Sequence, residues 1–288
     1  MATRHLSLEP RGGADLTQGS ISFIGTATVI IRYAGFTVLT DPNFLHRGER
    51  VRLGYGLRSR RLTNPAIEID ALPPLDLVLL SHLHEDHWDR VVDARLPRSL
   101  PVATTPHAAG ALQGRGFGGA LPLATWETLD CAKGAARLRI TATPGRHGPR
   151  IVSRLLPPVM GSLLEFERVD GRPLLRLYVT GDTLVHDRIH EIRARYADID
   201  IALLHLGGTR VLGLLLTMDA AQGVALMRII QPRLAIPIHY DDYAVFRSPL
   251  SDFQEAVSEA GLSDRVHYLL RGDTLTFQAP RGRLRRSA

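Results

Sequence analysis

The sequence predicts an α+β fold in which two β-sheets pack together and helices lie outside them. Strand-like segments come first and are mixed with helices only later, unlike the regular strand–helix alternation of a doubly wound parallel sheet. In addition, histidines and aspartates fall mostly just after apolar strands, where rigid backbone can hold a polar tip in place.

Residues 21–41, "ISFIGTATVIIRYAGFTVLTD", read as strands around turns at Gly25 and Ala34-Gly35. Residues 42–74 are polar, carry arginines and are broken by Pro65, Pro73 and Pro74. They read as a long loop, a kind that is often functional. "DLVLL", 76–80, is a short buried strand, and 105–116 a helix that ends at glycine. Strands follow at 135–145, 161–169 and 174–182, the last two flanking the turn "DGRP". A helix is expected over 185–197 and a buried strand over 199–208. Thr217 is the expected N-cap of a helix running to Ile230, with Pro232 as its stop. A strand at 234–240, a helix at 250–261 and a strand at 273–278 complete the pattern. The organisation expected is an N-terminal extension, 1–19, one domain, 20–279, and an Arg-rich disordered tail, 280–288.

Composition narrows the class. The 288 residues are 44% hydrophobic and 22% charged, enough for a sizeable core and against disorder. No apolar run approaches the roughly 20 residues of a membrane span. The N-terminus lacks the apolar stretch of a signal peptide. A single cysteine, Cys131, excludes an internal disulfide framework and makes a reducing cytoplasm the simplest setting. Of 35 basic residues only Lys133 is lysine, and the net charge is +6. The compact arginine runs are "RSRR", 58–61, and "RGRLRR", 281–286. Aromatic residues for base stacking are few, so a nucleic-acid partner is disfavoured and the arginines are expected to be spread over the surface.

The segment "LDLVLLSHLHEDHWD", Leu75 to Asp89, carries the chemistry. Chance places such a crowd of His and Asp in about one chain in a thousand of this composition. In a helix His82 and His84 would point about 200° apart. In an extended segment residues i and i+2 share a face, so both imidazoles aim at one point. Asp86 and His87 then reach a neighbouring point after a turn. Imidazole and carboxylate are ligands for zinc and other first-row divalent ions. His147 in "TPGRHG", Asp182 in "YVTGDT" and His239 in "IPIHYDD" also follow strands, with Gly181 freeing the turn before Asp182. His205 ends a buried strand before two glycines. It is weighed evenly as a pocket acid that protonates a leaving group and as a satisfied wall residue. Arg210, Tyr240 and Tyr243 are weaker candidates for substrate contact. Trp88 and Asp89 are expected to pack and fix the histidine loop.

From Ile21 to Tyr240 these motifs, "TDP" at 40–42, "SHLHEDH" at 81–87, His147, "TGD" at 180–182 and "HY" at 239–240, resemble the metallo-β-lactamase superfamily. The resemblance implies an αββα sandwich with a two-metal hydrolytic centre at one edge. It assigns His82, His84 and His147 to a first ion, and Asp86, His87 and His239 to a second. It makes Asp182 the bridge and Asp41 a support beneath the ligands. "IGTATVIIRYAGFTVLTDPNF" and "LTMDAAQGVALMRIIQPRLAIPIHYDDY" look most like the branch of ascorbate-phosphate lactonase and of the phospholipase D that cleaves N-acyl phosphatidylethanolamine. That branch often has an "LPIGG"-like strand end, where this chain has "LLHLGGT" with His205.

The function expected is a two-metal hydrolase whose metal-bound hydroxide cleaves a phosphodiester or lactone of a small or lipid-like substrate. Asp86 would orient that nucleophile or take its proton. Two divalent ions are implied, zinc first, with manganese or iron as alternatives. The competing readings are a nuclease of the same fold and a non-hydrolytic metal-binding protein. No segment is long enough for the nuclease's additional domain, and His87 stands where a flavin-linked di-iron protein would need an acidic ligand.

Overall fold

A computed structural model describes residues 2–10, 12–54 and 56–279. Two seven-stranded mixed sheets pack face to face. The first runs in the order Thr3–Ser7, Thr128–Lys133, Ala136–Pro144, Met160–Arg168, Pro173–Val179, Ile201–His205, Leu234–Ile238. The second runs Thr274–Gln278, Gln18–Gly25, Thr28–Tyr33, Phe36–Thr40, Leu77–Leu79, Val102–Thr104, Ala120–Pro122.

Residue alternation shows how the layers form. In Thr28–Tyr33, Val29, Ile31 and Tyr33 face the core between the sheets, while Ile30 faces a second core on the far side. Leu77 and Leu79 divide from Val78 and Leu80 in the same way. Both faces of these strands are therefore apolar and both must be covered. Helices Arg90–Arg95 and Pro106–Gly114 close the second core with Val92, Ala108 and Leu112. On the other sheet, helices Ile189–Arg195, Ala220–Ile230 and Leu250–Glu259 contribute Ile192, Leu226, Met227 and Phe253. The result is the expected αββα order of layers.

Several local expectations change. Asp219, not Thr217, caps the helix Ala220–Ile230, accepting from the Gln222 N–H. The hydroxyl of Thr217 instead donates to Asp182, 3.2 Å away. The loop at 42–74 contains an antiparallel hairpin, Arg50–Gly54 with Leu57–Arg60. Within 1–19, Thr3–Ser7 forms an edge strand parallel to Thr128–Lys133. The Arg-rich tail 280–288, with its run at 281–286, lies outside the described residues. Among the described residues no helix is long and apolar enough to cross a membrane.

The sheets also place the site. Asp41, the 81–87 segment, His147, Asp182 and His239 each lie just beyond the C-terminal end of a strand, and His205 is the last residue of one. These ends meet along one edge of the sandwich.

Candidate metal centre

Three groups of ligand-type side chains assemble at that edge. His82, His84 and His147 form one; Asp86, His87, Asp182 and His239 form the next; Asp41, His87 and His205 form a third behind it. All seven residues expected as metal ligands are thus brought into the first two groups.

The strand ends at Leu79 and the chain bends at Ser81, after which the His82 and His84 rings come together. Nε2 of His82 and Nδ1 of His84 stand 2.9 Å apart. His147 turns its Nδ1 to the Leu216 carbonyl at 3.0 Å, which leaves Nε2 for the cluster. His239 does likewise with the Leu206 carbonyl at 3.1 Å. Such bonds fix both tautomer and ring angle. Asp182 lies 3.4 Å from Nε2 of His87 and 3.6 Å from Nδ1 of His239. Asp86 Oδ2 lies 3.6 Å from Nε2 of His239.

Backbone geometry holds these tips. Gly181 has φ +62, and a Cβ there would stand 2.7 Å from the Met160 carbonyl oxygen. Asp41 and His239 also have positive φ, 34° and 63°. Such left-handed non-glycine residues persist where surrounding structure forces them, often at functional sites. Around His239 the force comes from a buried network on Asp242. Its carboxylate accepts from the Thr26 N–H and the Thr63 hydroxyl, and Arg61 and Arg271 lie at 3.7 and 3.1 Å. Asp89 accepts from the backbone N–H of Phe44, Leu45, Val91 and Val92, tying the histidine turn to the chain after Asp41. Trp88 packs edge-on against Phe117, so Trp88 and Asp89 do brace the loop.

Electrostatics divide the cluster. Burial and neighbouring imidazoles push His82 well below the usual histidine value, and His84 down to about 4. Burial lowers His147 as well. These rings are neutral and present lone pairs. Burial opposes charge on His87, yet the carboxylates of Asp182, Asp86 and Asp41 raise it well above its usual value. His239 is raised by Asp182 and Asp86 against the same opposition. Asp182 is buried too, and His239 and His87 hold it far below the carboxylate range. The buried carboxylates of Asp41, Asp86 and Asp182 thus favour positive charge on their neighbours.

Whether metal ions suit this site is tested by its unsatisfied atoms. Asp86 Oδ1, His87 Nε2, Asp182 Oδ1 and His239 Nε2 are buried and have no hydrogen-bond partner among the described residues. Buried polar atoms normally have one. Two adjoining groups of imidazole and carboxylate, with free atoms turned inward, fit divalent ions.

His205 sits elsewhere than a pocket acid would. It is fully buried, and its Nε2–H donates to Asp41 Oδ2 at 3.2 Å. Its Nδ1 faces the Thr180 hydroxyl, also at 3.2 Å. Asp41 in turn accepts the Ser81 N–H at 2.7 Å and lies 3.5 Å from Nδ1 of His87. His205 is not among the described residues that line the cavity below; its ring meets Asp41, which in turn faces His87. Tyr240 and Tyr243 are buried and spend their hydroxyls on the Leu269 carbonyl and Asn43, while Arg210 is exposed and paired with Asp219.

A cavity of about 400 Å³ opens over the cluster. His84, Asp86, His147 and Asp182 form its polar floor. Leu53, Leu57, Leu155, Leu214, Leu216 and Val245 are among its walls, and among the described residues no arginine or lysine lines it. Sequence reasoning missed these walls; their signal was leucine and valine in glycine-broken loops, as in "RVLGLLL". A larger cleft of about 710 Å³ lies beside Asp70, Pro73 and Pro101, away from the metal-ligand cluster.

Two packed mixed sheets with a histidine–aspartate cluster at their shared edge define a metallo-β-lactamase fold. The chain belongs to the beta-lactamase superfamily, whose domain model matches residues 37–240. It is similar to a metal-dependent hydrolase of Nanoarchaeum equitans, 24% identical over 71% of this chain and 87% of that protein. Another metal-dependent hydrolase, from Ignicoccus hospitalis, is 28% identical over 70% of this chain and 79% of its own length. Among solved structures, an isothiocyanate hydrolase from Delia radicum gut bacteria shares the fold, with a TM-score of 0.77. It is 20% identical and is covered in full by 90% of this chain.

Proposed function

We propose that this chain is a metal-dependent hydrolase with two divalent ions, zinc before manganese or iron, acting on a phosphodiester or lactone whose bulk is apolar. The observation that carries this is two adjoining groups of seven ligand-type side chains, four of which, His84, Asp86, His147 and Asp182, form the floor of a leucine-walled cavity. Relatives named as metal-dependent hydrolases support it. The segments around Asp41 and His239 support placing it near the lactonase and phospholipase D branch.

His82, His84 and His147 would hold one ion as neutral imidazoles. Asp86, His87 and His239 would hold the other, with Asp182 between them. When bound, such ions make a water nucleophilic at neutral pH and take up charge on the attacking and leaving oxygens. Asp86 lines the cavity and has a free Oδ1, so it can orient the attacking water or accept its proton. The apolar walls exclude competing water and seat the substrate's chain. His205 and Asp41 keep the His87 ring turned toward the ions.

A nuclease would need side chains for phosphates flanking the scissile one, and among the described residues the cavity lining supplies no cation for them. The test is a set of hydrolysis rates on lactones, phosphodiesters with and without acyl chains, and single-stranded RNA, with metal content measured. Turnover that rises with chain length on a lactone or phosphodiester is expected. RNA as the best substrate, or no hydrolysis by fully loaded protein, would overturn the proposal.

A further inference from the structure

We infer that the rim of the cavity is a docking surface for an anionic lipid bilayer, on which the protein lies without crossing it. Eight large hydrophobic side chains are exposed among the described residues. Four of them, Leu57, Leu155, Leu212 and Leu214, line the cavity, and a fifth, Ile151, adjoins the lining residue Val152. Leu212 is 97% exposed and Ile151 84%. Exposed apolar groups gathered at one mouth, rather than scattered singly, mark an interaction site.

Three segments build this rim: 50–60, 149–157 and 209–216. Together they contain seven arginines and no acidic residue. In the hairpin, Arg50 stands opposite Arg60 and Arg52 opposite Arg58. Like charges directly across a strand pair repel each other. These four, and Arg150 and Arg154 on the next segment, are exposed and form no ion pair with a described residue. Glu85 accepts from the Arg52 N–H and Asp219 pairs with Arg210, and an anionic surface would offset the arginine excess that is left.

Apolar side chains among unpaired arginines are the composition of an interfacial surface. The apolar groups enter the headgroup boundary, and the guanidinium groups meet lipid phosphates. A second copy of this chain is disfavoured because a two-fold contact would oppose one set of arginines with the same set. With the rim so seated, the cavity opens toward the acyl region. The inference does not depend on what the metal centre hydrolyses, so the two can fail separately.

The test is co-sedimentation of the full chain with vesicles of phosphatidylcholine alone, or with about one third phosphatidylglycerol, at low and high salt. The expected result is binding to the anionic vesicles that falls as salt rises, with little on the neutral ones. Ile151→Asp and Arg58→Glu, on different rim segments and outside the cavity lining, should each weaken it by about tenfold. Arg154→Glu is the reserve should either fail to fold, with melting temperature and metal content reporting folding. Equal binding to both vesicles, no binding, or variants that bind like the parent would overturn the inference. So would dimerisation that Ile151→Asp abolishes, which would give the face to a second copy. RNA that displaces the vesicles would give it to nucleic acid.

Discussion

His205 donates from Nε2 to Asp41 Oδ2 across 3.2 Å in a fully buried setting, and the other Asp41 oxygen faces the His87 ring. This pairing reaches His87, a proposed metal ligand, from behind. His205→Ala should therefore weaken the ion at His87 by about 10–100-fold and slow turnover with it, while the ion at His82, His84 and His147 stays. Metal titration followed by elemental analysis reads this directly. Unchanged affinity for both ions would remove the positioning role.

Asp182 sits among His87, His239 and Asp86. Asp182→Asn keeps its shape and removes its charge. The variant should retain one ion, lose most of the affinity for the second, and lose about 10²–10³-fold in rate. Metal stoichiometry and rate, with a melting curve for folding, are the measurements. Two tightly bound ions and a parental rate in the folded variant would refute the bridge.

Gly181 holds the turn before Asp182 with φ +62 and has no room for a side chain. Gly181→Ala should cost about 1–3 kcal/mol in a denaturant titration. It should also lower metal affinity, because the Met160 strand must shift. A neutral effect on both would show that the turn relaxes freely.

Lys133 is buried 2.7 Å from Asp76, and the Gly35 carbonyl accepts a further bond from its ammonium group. Lys133→Met should cost about 3–5 kcal/mol by stranding the carboxylate. Adding Asp76→Leu should recover only part of this, because the Thr37 N–H then loses its acceptor, a cost of about 1–3 kcal/mol. Denaturant midpoints of the single and double variants decide it.

Burial pushes the Cys131 thiol up to about 12 from a usual value of 9.0. At pH 8 it should react with a disulfide reagent at least about a hundredfold more slowly folded than unfolded. The sign for stability follows. Above pH 9 the unfolded chain releases this proton first, so the thiol's contribution is lost as pH rises from 9.0 toward about 12. Rapid labelling of native protein would contradict this.

Much of the site was legible because its information is local. The two-residue spacing of His82 and His84 pointed to rings that do converge, although the chain bends at Ser81, and strand-end positions flagged His147, Asp182 and His239. The sandwich was legible for the same reason, since its central strands carry apolar residues on both faces. What stayed hidden depends on distant partners. Nothing in "TRHLS" announces a strand, because Thr3–Ser7 is fixed by pairing with Thr128–Lys133. The hairpin at 50–60 reads as loop because its outward face is arginine. Thr217 and Asp219 both have capping chemistry, and only the fold commits the Thr217 hydroxyl to Asp182. Arginines were expected on the surface, yet Arg61 is wholly buried beneath the Asp242 loop. For His205 the strand end could be read, but not which neighbour its ring would meet.

The ligand set and its support span the chain from Asp41 to His239 and draw on both sheets. During synthesis His239 leaves the ribosome last, roughly 200 residues after Asp41. Before then the nascent chain already carries His82, His84, His147 and Asp182, but not His239, the last ligand-type side chain of the second group. Loading of a second ion would therefore have to await the strand Leu234–Ile238, which His239 follows. Each ion that binds only the closed sandwich would stabilise it by about 2.7 kcal/mol once free ion reaches a hundred times its dissociation constant.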